Sequence, residues 1–175
     1  MKTKKTKGYL QGNNIILEKN DYSEILYQKG YGTKNSQKQI ELSLIEGIYL
    51  LEQKKLEVYN KNYKKKISYE ELIKKGKTKN FKEKIAVYTD LRKKGYMIKT
   101  ALKYGSDFRI YEKGIKPGKD HSKWLLYVLN EHEKINIKEY ISKNRIAHST
   151  RKKLLLGIVD DEQGITYYES SWIKP

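Results

Sequence analysis

Tyr111 and His121 bracket a short loop that contains Gly114, Pro117 and Gly118. Apolar runs flank it, Phe108-Arg109-Ile110-Tyr111 before and Trp124 to Leu129 after. Small and turn-forming residues let a ligand approach the backbone closely. A phenol and an imidazole at the two ends of such a loop suit acid–base chemistry on a phosphate. Imidazole titrates near pH ~6.5, whereas a phenol, near ~10, serves as a base only where neighbouring cations favour the phenolate. The chain has three histidines. His132 lies in the charged turn Glu131-His132-Glu133 and reads as solvated surface. His148 falls near a helix end, where an imidazolium beside the dipole or a packed ring is the plain reading. His121 is therefore the histidine whose position favours function.

Composition points to the reactant. The 175 residues hold 38 Lys plus Arg against 21 Asp plus Glu, a net charge of +17. A charge of that size points to polyanionic partners, nucleic acid first. The competing explanation is the general lysine enrichment of heat-adapted proteins. Only Arg92, Arg109, Arg145 and Arg151 are arginines, and arginine suits planar or bidentate tasks that lysine cannot perform. The chain has no cysteine, which excludes disulfides, thiol catalysis and thiolate metal sites and fits an intracellular protein. No apolar run approaches the ~18 residues of a membrane span. The basic start MKTKKTKGYL precedes no apolar stretch of signal-peptide length. A soluble, cytoplasmic protein is expected.

Neither a metal nor another cofactor is expected. The histidines are far apart, and no carboxylate stands at ligand spacing from them. The nearest approach to the acid-x-Lys of metal-dependent nucleases, Glu52-Gln53-Lys54, ends a helix. RNA then offers one economical route to phosphodiester cleavage, attack by its own 2′-hydroxyl. The products are a 2′,3′-cyclic phosphate and a 5′-hydroxyl. Such a reaction needs a base, an acid and a cation for the charge on phosphorus. With sixteen tyrosines and many lysines, spacing alone does not choose the base or the cation.

The fold class expected is α/β (α+β): a small N-terminal α+β domain over residues 8–80, a connecting helix over 81–95, and a C-terminal nuclease-like domain over 96–175. In the first part, Gly12-Asn13-Asn14 is hairpin chemistry. Asp21 caps a short helix stopped by Gly30 and Gly32. Ser43 with Glu46 and Ser68 with Glu71 form capping boxes before apolar runs. The stretch KKGKTKN at 74–80 has no apolar residue and marks the boundary. Asn80 with Glu83 repeats the capping signal, and Gly95 stops that helix. In the second part, strands are expected at 96–98, 108–111 and 123–129. Asn136 caps a helix bearing Ile137, Tyr140, Ile141 and Ala147. Leu154 to Val159 reads as a central strand buried on both faces. Asp160-Asp161-Glu162-Gln163-Gly164 turns it into Ile165 to Tyr168. The result is a central mixed sheet flanked by helices.

Three stretches carry a family resemblance: LKYGSDFRIYEKG at 102–114, HSKWLLYVL at 121–129 and RIAHSTRKKLLLGIVD at 145–160. The first half matches in outline through YQKGYGT, IELSLIEGIYLLE and VYTDLRKKGY. Across nearly its whole length, the chain resembles the archaeal tRNA-splicing endonucleases of the short, homotetrameric type. The resemblance implies a catalytic triad of Tyr111, His121 and Lys152. Tyr111 would deprotonate the 2′-hydroxyl, His121 protonate the leaving 5′-oxygen and Lys152 stabilise the transition state. Lys153 is adjacent, but neighbours on a strand face opposite ways, and the motif match selects Lys152. The family's pair of flat side chains around a bulged nucleotide maps onto Arg145 and Trp172. For Trp172 a packed terminal residue is the alternative. Asp107 and Arg109 are assigned to structure.

The resemblance further implies a precursor tRNA with a bulge-helix-bulge as substrate and self-association as a homotetramer, a dimer of dimers. The acidic loop Asp160, Asp161 and Glu162 would dock in a basic cleft of another subunit, unless it is only a solvated turn. Ile165 to Tyr168 is the edge expected to pair between subunits. Two other readings stay open: a non-catalytic structural or RNA-binding subunit, and a metal-dependent nuclease, whose folds look similar at the level of layers.

Overall fold

The computed structural model describes residues 5–115 and 120–173. Pro117 and Gly118 of the loop lie outside them. The chain divides into two compact units, Met1–Phe81 and Lys82–Pro175.

The first unit is a five-stranded mixed sheet, in order β3-β4-β2-β1-β5, with three helices. Strands β1 (Thr6–Gln11) and β2 (Asn14–Leu17) form the hairpin, turning at Gly12, whose φ is +60°. Helix α1 (Asp21–Gln28) is capped by Asn20, not Asp21, since the Asn20 Oδ1 accepts from the Ser23 N–H. Strand β3 (Thr33–Lys34) pairs with β4 (Ile40–Ser43). Both capping boxes form, at Ser43 before α2 (Leu44–Glu52) and at Ser68 before α3 (Tyr69–Lys75). Strand β5 (Leu56–Tyr59) runs parallel to β1. The Glu46 carboxylate is buried and also accepts from the Gly32 N–H at 2.9 Å. Leu26, Leu42, Ile48, Leu50, Val58 and Leu72 fill the core.

The second unit begins with α4 (Phe81–Lys93), all but its first residue. Asn80 has φ +54°, a left-handed conformation and not the extended one of an N-cap. Gly95, at φ +87°, ends the helix as expected. The sheet is ordered β10-β9-β8-β7-β6. Its strands are β6 (Met97–Ala101), β7 (Ser106–Tyr111), β8 (Trp124–Asn130), β9 (Lys153–Val159) and β10 (Ile165–Ser170). Among the described strands of this sheet, only β8 and β9 pair in parallel. A parallel pair needs a crossover, and α5 (Ile137–Ser149) lies between them in the chain, capped by Asn136.

The central strand is β8, not β9. Leu125, Leu126, Tyr127 and Val128 are all buried there, whereas Leu155 and Ile158 of β9 are only partly so. One face of the sheet, through Leu125, Tyr127, Leu154 and Leu156, packs on Ala147 of α5. The other meets α4: Phe108 lies 5.8 Å from the Tyr88 ring, and a Cβ on Gly157 would touch Val87. Each fully buried leucine here contributes roughly 1.5–3 kcal/mol. Ile137 and Ile141 of α5 face outward, contrary to the packing expected of them. None of the described helices is long and apolar enough to cross a membrane.

Candidate active site

Strand direction brings the three candidates to one edge of the second sheet. Strand β7 runs antiparallel to β8, so its C-terminal end lies beside the N-terminal end of β8. Strand β9 is parallel to β8 and starts at the same edge. Tyr111 is the last residue of β7, His121 lies three positions before β8, and Lys152 immediately precedes β9. The helical crossover thus accounts for the long gap between His121 and Lys152.

Register separates the two adjacent lysines. Ile110, Trp124 and Lys153 share a row, so Tyr111 and Lys152 lie one row further and on the opposite face. Lys153 pairs with Glu169, which also accepts from Trp124 Nε1 at 2.7 Å. Lys152 turns to the α5 side. Its N–H donates to the Ala147 carbonyl and its Nζ to the Thr150 carbonyl at 2.7 Å. This ammonium therefore sits at the carboxyl end of α5, where the helix dipole favours positive charge.

Tyr104, Arg109, Tyr111, Asp120, His121, Ser122 and Lys152 line one cavity of about 310 Å³. His121 is exposed, and its N–H donates to Asp120 Oδ1 at 2.6 Å. The Lys152 Nζ lies 5.5 Å from the Tyr104 ring centre. Tyr111 is buried, and its phenol titrates above the usual tyrosine range. Burial is the largest cause; the Arg109 guanidinium acts in the opposite direction, and Tyr104 adds a little to the rise. The condition under which a phenol serves as a base is thus not met in the free protein, where desolvation outweighs the nearby cation.

A second cavity adjoins the first through Lys152 and is lined also by Lys123, His148, Ser149, Arg151, Lys153 and Ser171. Trp172 follows it, 52% exposed, with its ring edge-on to His148 at 4.6 Å. Arg145 is exposed on α5, three residues before His148 and so on the same side of the helix. Trp172 thus already has a ring partner on the helix that carries Arg145.

The acidic turn lies at the other end of the sheet, after β9. Asp160 closes the turn, accepting from the Gly164 N–H at 2.6 Å. Asp161 bonds His132 Nε2 at 2.9 Å, and its N–H donates to Glu131. Glu162 is exposed. Glu131, His132 and Asp161 bring possible ligand atoms within 4.8 Å of one another. All three are exposed and already bonded among themselves, so ordinary surface pairing explains them. Asp107 is structural as expected, pairing with Lys84 at 2.7 Å and accepting from the Val128 N–H. The sequence does not single out Tyr104 and assigns Arg109 to structure, although both line the cavity. Their signals are membership of the motif at 102–114 and, for Arg109, the scarcity of arginine in the chain.

Residues 81–167 match the model of the tRNA intron endonuclease catalytic C-terminal domain, and residues 6–73 that of its N-terminal domain. The chain belongs to the tRNA intron endonuclease family. A tRNA-splicing endonuclease of Nanoarchaeum equitans is 43% identical over 176 residues, covering 96% of this chain and 99% of that protein. That of Methanothermobacter thermautotrophicus is 37% identical over 171 residues, covering 98% and 99%. That of Thermococcus kodakarensis is 36% identical, covering 95% and 97%. Both units therefore fall within the tRNA intron endonuclease architecture, and the cavity lies in the part matching the catalytic domain.

Proposed function

We propose that this tRNA-splicing endonuclease excises introns from precursor tRNA by cutting both strands of a bulge-helix-bulge without a metal ion. The observation that carries the reading is the convergence of Tyr111, His121 and Lys152 on one cavity in a +17 chain. The ionised Tyr111 takes the proton of the 2′-hydroxyl, whose oxygen bonds to phosphorus. The bond from phosphorus to the 5′-oxygen breaks, and His121 gives that oxygen its proton. Lys152 offsets the charge on the pentacoordinate phosphorus. The products are a 2′,3′-cyclic phosphate and a 5′-hydroxyl. Because Tyr111 is neutral at pH 7, the rate rises with pH through the alkaline range.

Arg145 and Trp172 hold the bulged nucleotide, since guanidinium and indole planes stack on unpaired bases. Paired cuts call for paired sites, and a homotetramer, a dimer of dimers, supplies them. Support comes from the sheet itself. Strand β9 is seven residues long, about 23 Å, so the acidic turn stands well away from the catalytic cavity of its own chain. It is free to dock in a basic cleft of another copy without entering that cavity. The edge strand β10 exposes Tyr168, and α5 exposes Ile137 and Ile141, apolar surface suited to burial between subunits.

The test is cleavage of a bulge-helix-bulge transcript in EDTA, with product ends analysed. Retained activity and cyclic-phosphate ends are expected, with His121→Ala slowing cleavage ~10²–10⁴-fold while RNA binding persists. Free 3′-hydroxyl ends, or loss of activity in EDTA, would overturn the mechanism. A pure chain that cuts only when a second, different chain is added would make it a structural subunit.

A further inference from the structure

Arg109 stands out among the residues that the proposed chemistry leaves unused. It shares a face of β7 with Tyr111, two positions on, and its guanidinium carbon lies 5.9 Å from the Tyr111 ring centre. It lines the same cavity. Its Nε is buried without a hydrogen-bond partner, and among the described residues no carboxylate pairs with its guanidinium. The carboxylates beside it on the chain are committed elsewhere: Asp107 to Lys84 and the Val128 N–H, Glu112 to Lys123. Directly across on β6 stands another cation, Lys99. A buried donor left unsatisfied next to a like charge costs stability unless an anion completes it.

We infer that Arg109 is a second phosphate ligand of the cleft, taking a non-bridging oxygen of the scissile phosphate while Lys152 takes the other from two strands away. Two strand spacings across the sheet and two residues along it separate their backbones by about 12 Å, and both side chains line the intervening cavity. The planar fork of arginine suits a phosphate, and charge-assisted bonds of this kind are the strong ones. Arg109 thereby has two tasks: binding the phosphate, and holding a cation beside Tyr111 against the effect of burial. The inference rests on the reading of Tyr111, His121 and Lys152 as the site.

The experiment compares full-length wild type, Arg109→Gln, Arg109→Lys and His121→Ala, with folding checked by thermal melts. Single-turnover cleavage of the bulge-helix-bulge transcript is measured from pH 6 to 10. Binding is measured with the same RNA carrying 2′-deoxy nucleotides at both cleavage positions. Arg109→Gln should cut ~10²-fold more slowly, as for loss of one oxyanion donor, and lose less than ~10-fold in binding. Arg109→Lys should recover part of the rate, keeping the charge but not the fork. The alkaline rise in rate should move to higher pH in Arg109→Gln. The other groups around Tyr111 are unchanged: Tyr104, Asp120, His121 and Lys152 at the cavity, and Met97 across on β6. A folded Arg109→Gln within ~3-fold of wild type at every pH would overturn the inference. So would equal losses in Arg109→Gln and Arg109→Lys with an unmoved pH profile, which mark a packing role. Full activity in His121→Ala would instead sink the underlying site, so the two failures are distinguishable.

Discussion

The two ends of the second sheet use charge in opposite ways. At the end after β8 and β9, Glu131, His132, Asp160 and Asp161 are all bonded to one another or to the turn they close. At the end where β8 and β9 begin, Lys152 reaches a backbone carbonyl and Arg109 no carboxylate among the described residues. Surface charges settle their own pairing when nothing else is required of them. Lys123 and Lys153 at that end have carboxylate partners and Asp120 lines the cavity, but Lys152 and Arg109 have none among the described residues, and such cations beside a cavity keep their field for a ligand. The acidic end thus pairs its charges within itself, whereas the basic end leaves two cations facing the cavity.

The sharpest test of that contrast is the pair of adjacent lysines. Lys152→Ala should slow single-turnover cleavage by roughly 10²–10³-fold, the scale for removing one preorganised transition-state donor. Lys153→Ala, which loses only an exposed partner in Glu169, should stay within ~3-fold. Equal effects of the two would dissolve the distinction between the faces of β9.

That distinction was legible in the sequence, because side chains alternate along any strand and the residue after Lys152 opens one. The capping boxes at Ser43 and Ser68 were legible for a similar reason: their geometry spans four residues and needs no tertiary context. What depended on burial was not legible. Leu154 to Val159 is a continuous apolar run, yet β8, whose run from Trp124 to Leu129 is as long, lies at the centre, because sheet order is set by pairing and not by hydropathy. Ile137 and Ile141 lie in an apolar pattern but on a face that this chain leaves open. Net charge showed that cations were available to Tyr111 but left its titration open, because desolvation of one ring is a local property. Arg109 looked structural because an unsatisfied buried donor has no sequence signature.

A smaller effect is expected at the acidic turn, the contact proposed between copies. Asp161→Lys with Glu162→Lys reverses the charge of the exposed part of the acidic turn and leaves Asp160 to close it. Light scattering should show the assembly shifting to smaller species, and cleavage should fall ~10-fold or more, as like charges now face each other. The cavity of Tyr111, His121 and Lys152 is untouched in each chain, so residual cleavage is expected in whatever assembly remains. An unchanged mass with unchanged activity would reduce the acidic end to a solvated turn.

The smallest effect probes the acidic end alone. The hydrogen bond to Asp161, then its charge, and further the charge of Glu131 raise the His132 pKa above the ordinary histidine value. A group whose folded pKa is raised contributes stability that is fully present below the unfolded pKa, ~6.5, and lost as pH rises through the folded value. Asp161→Asn removes the charge but keeps an acceptor oxygen, so the His132 titration measured by NMR should move down in pH. Wild type and variant should differ in melting temperature at pH 5 and converge at pH 9. Because His132 and Asp161 are both exposed, the difference should be small and shrink further in salt. A difference that instead grew toward pH 9 would mean that Asp161 acts through the turn's backbone and not through the imidazolium, and the balanced pairing ascribed to this end would have to be redrawn.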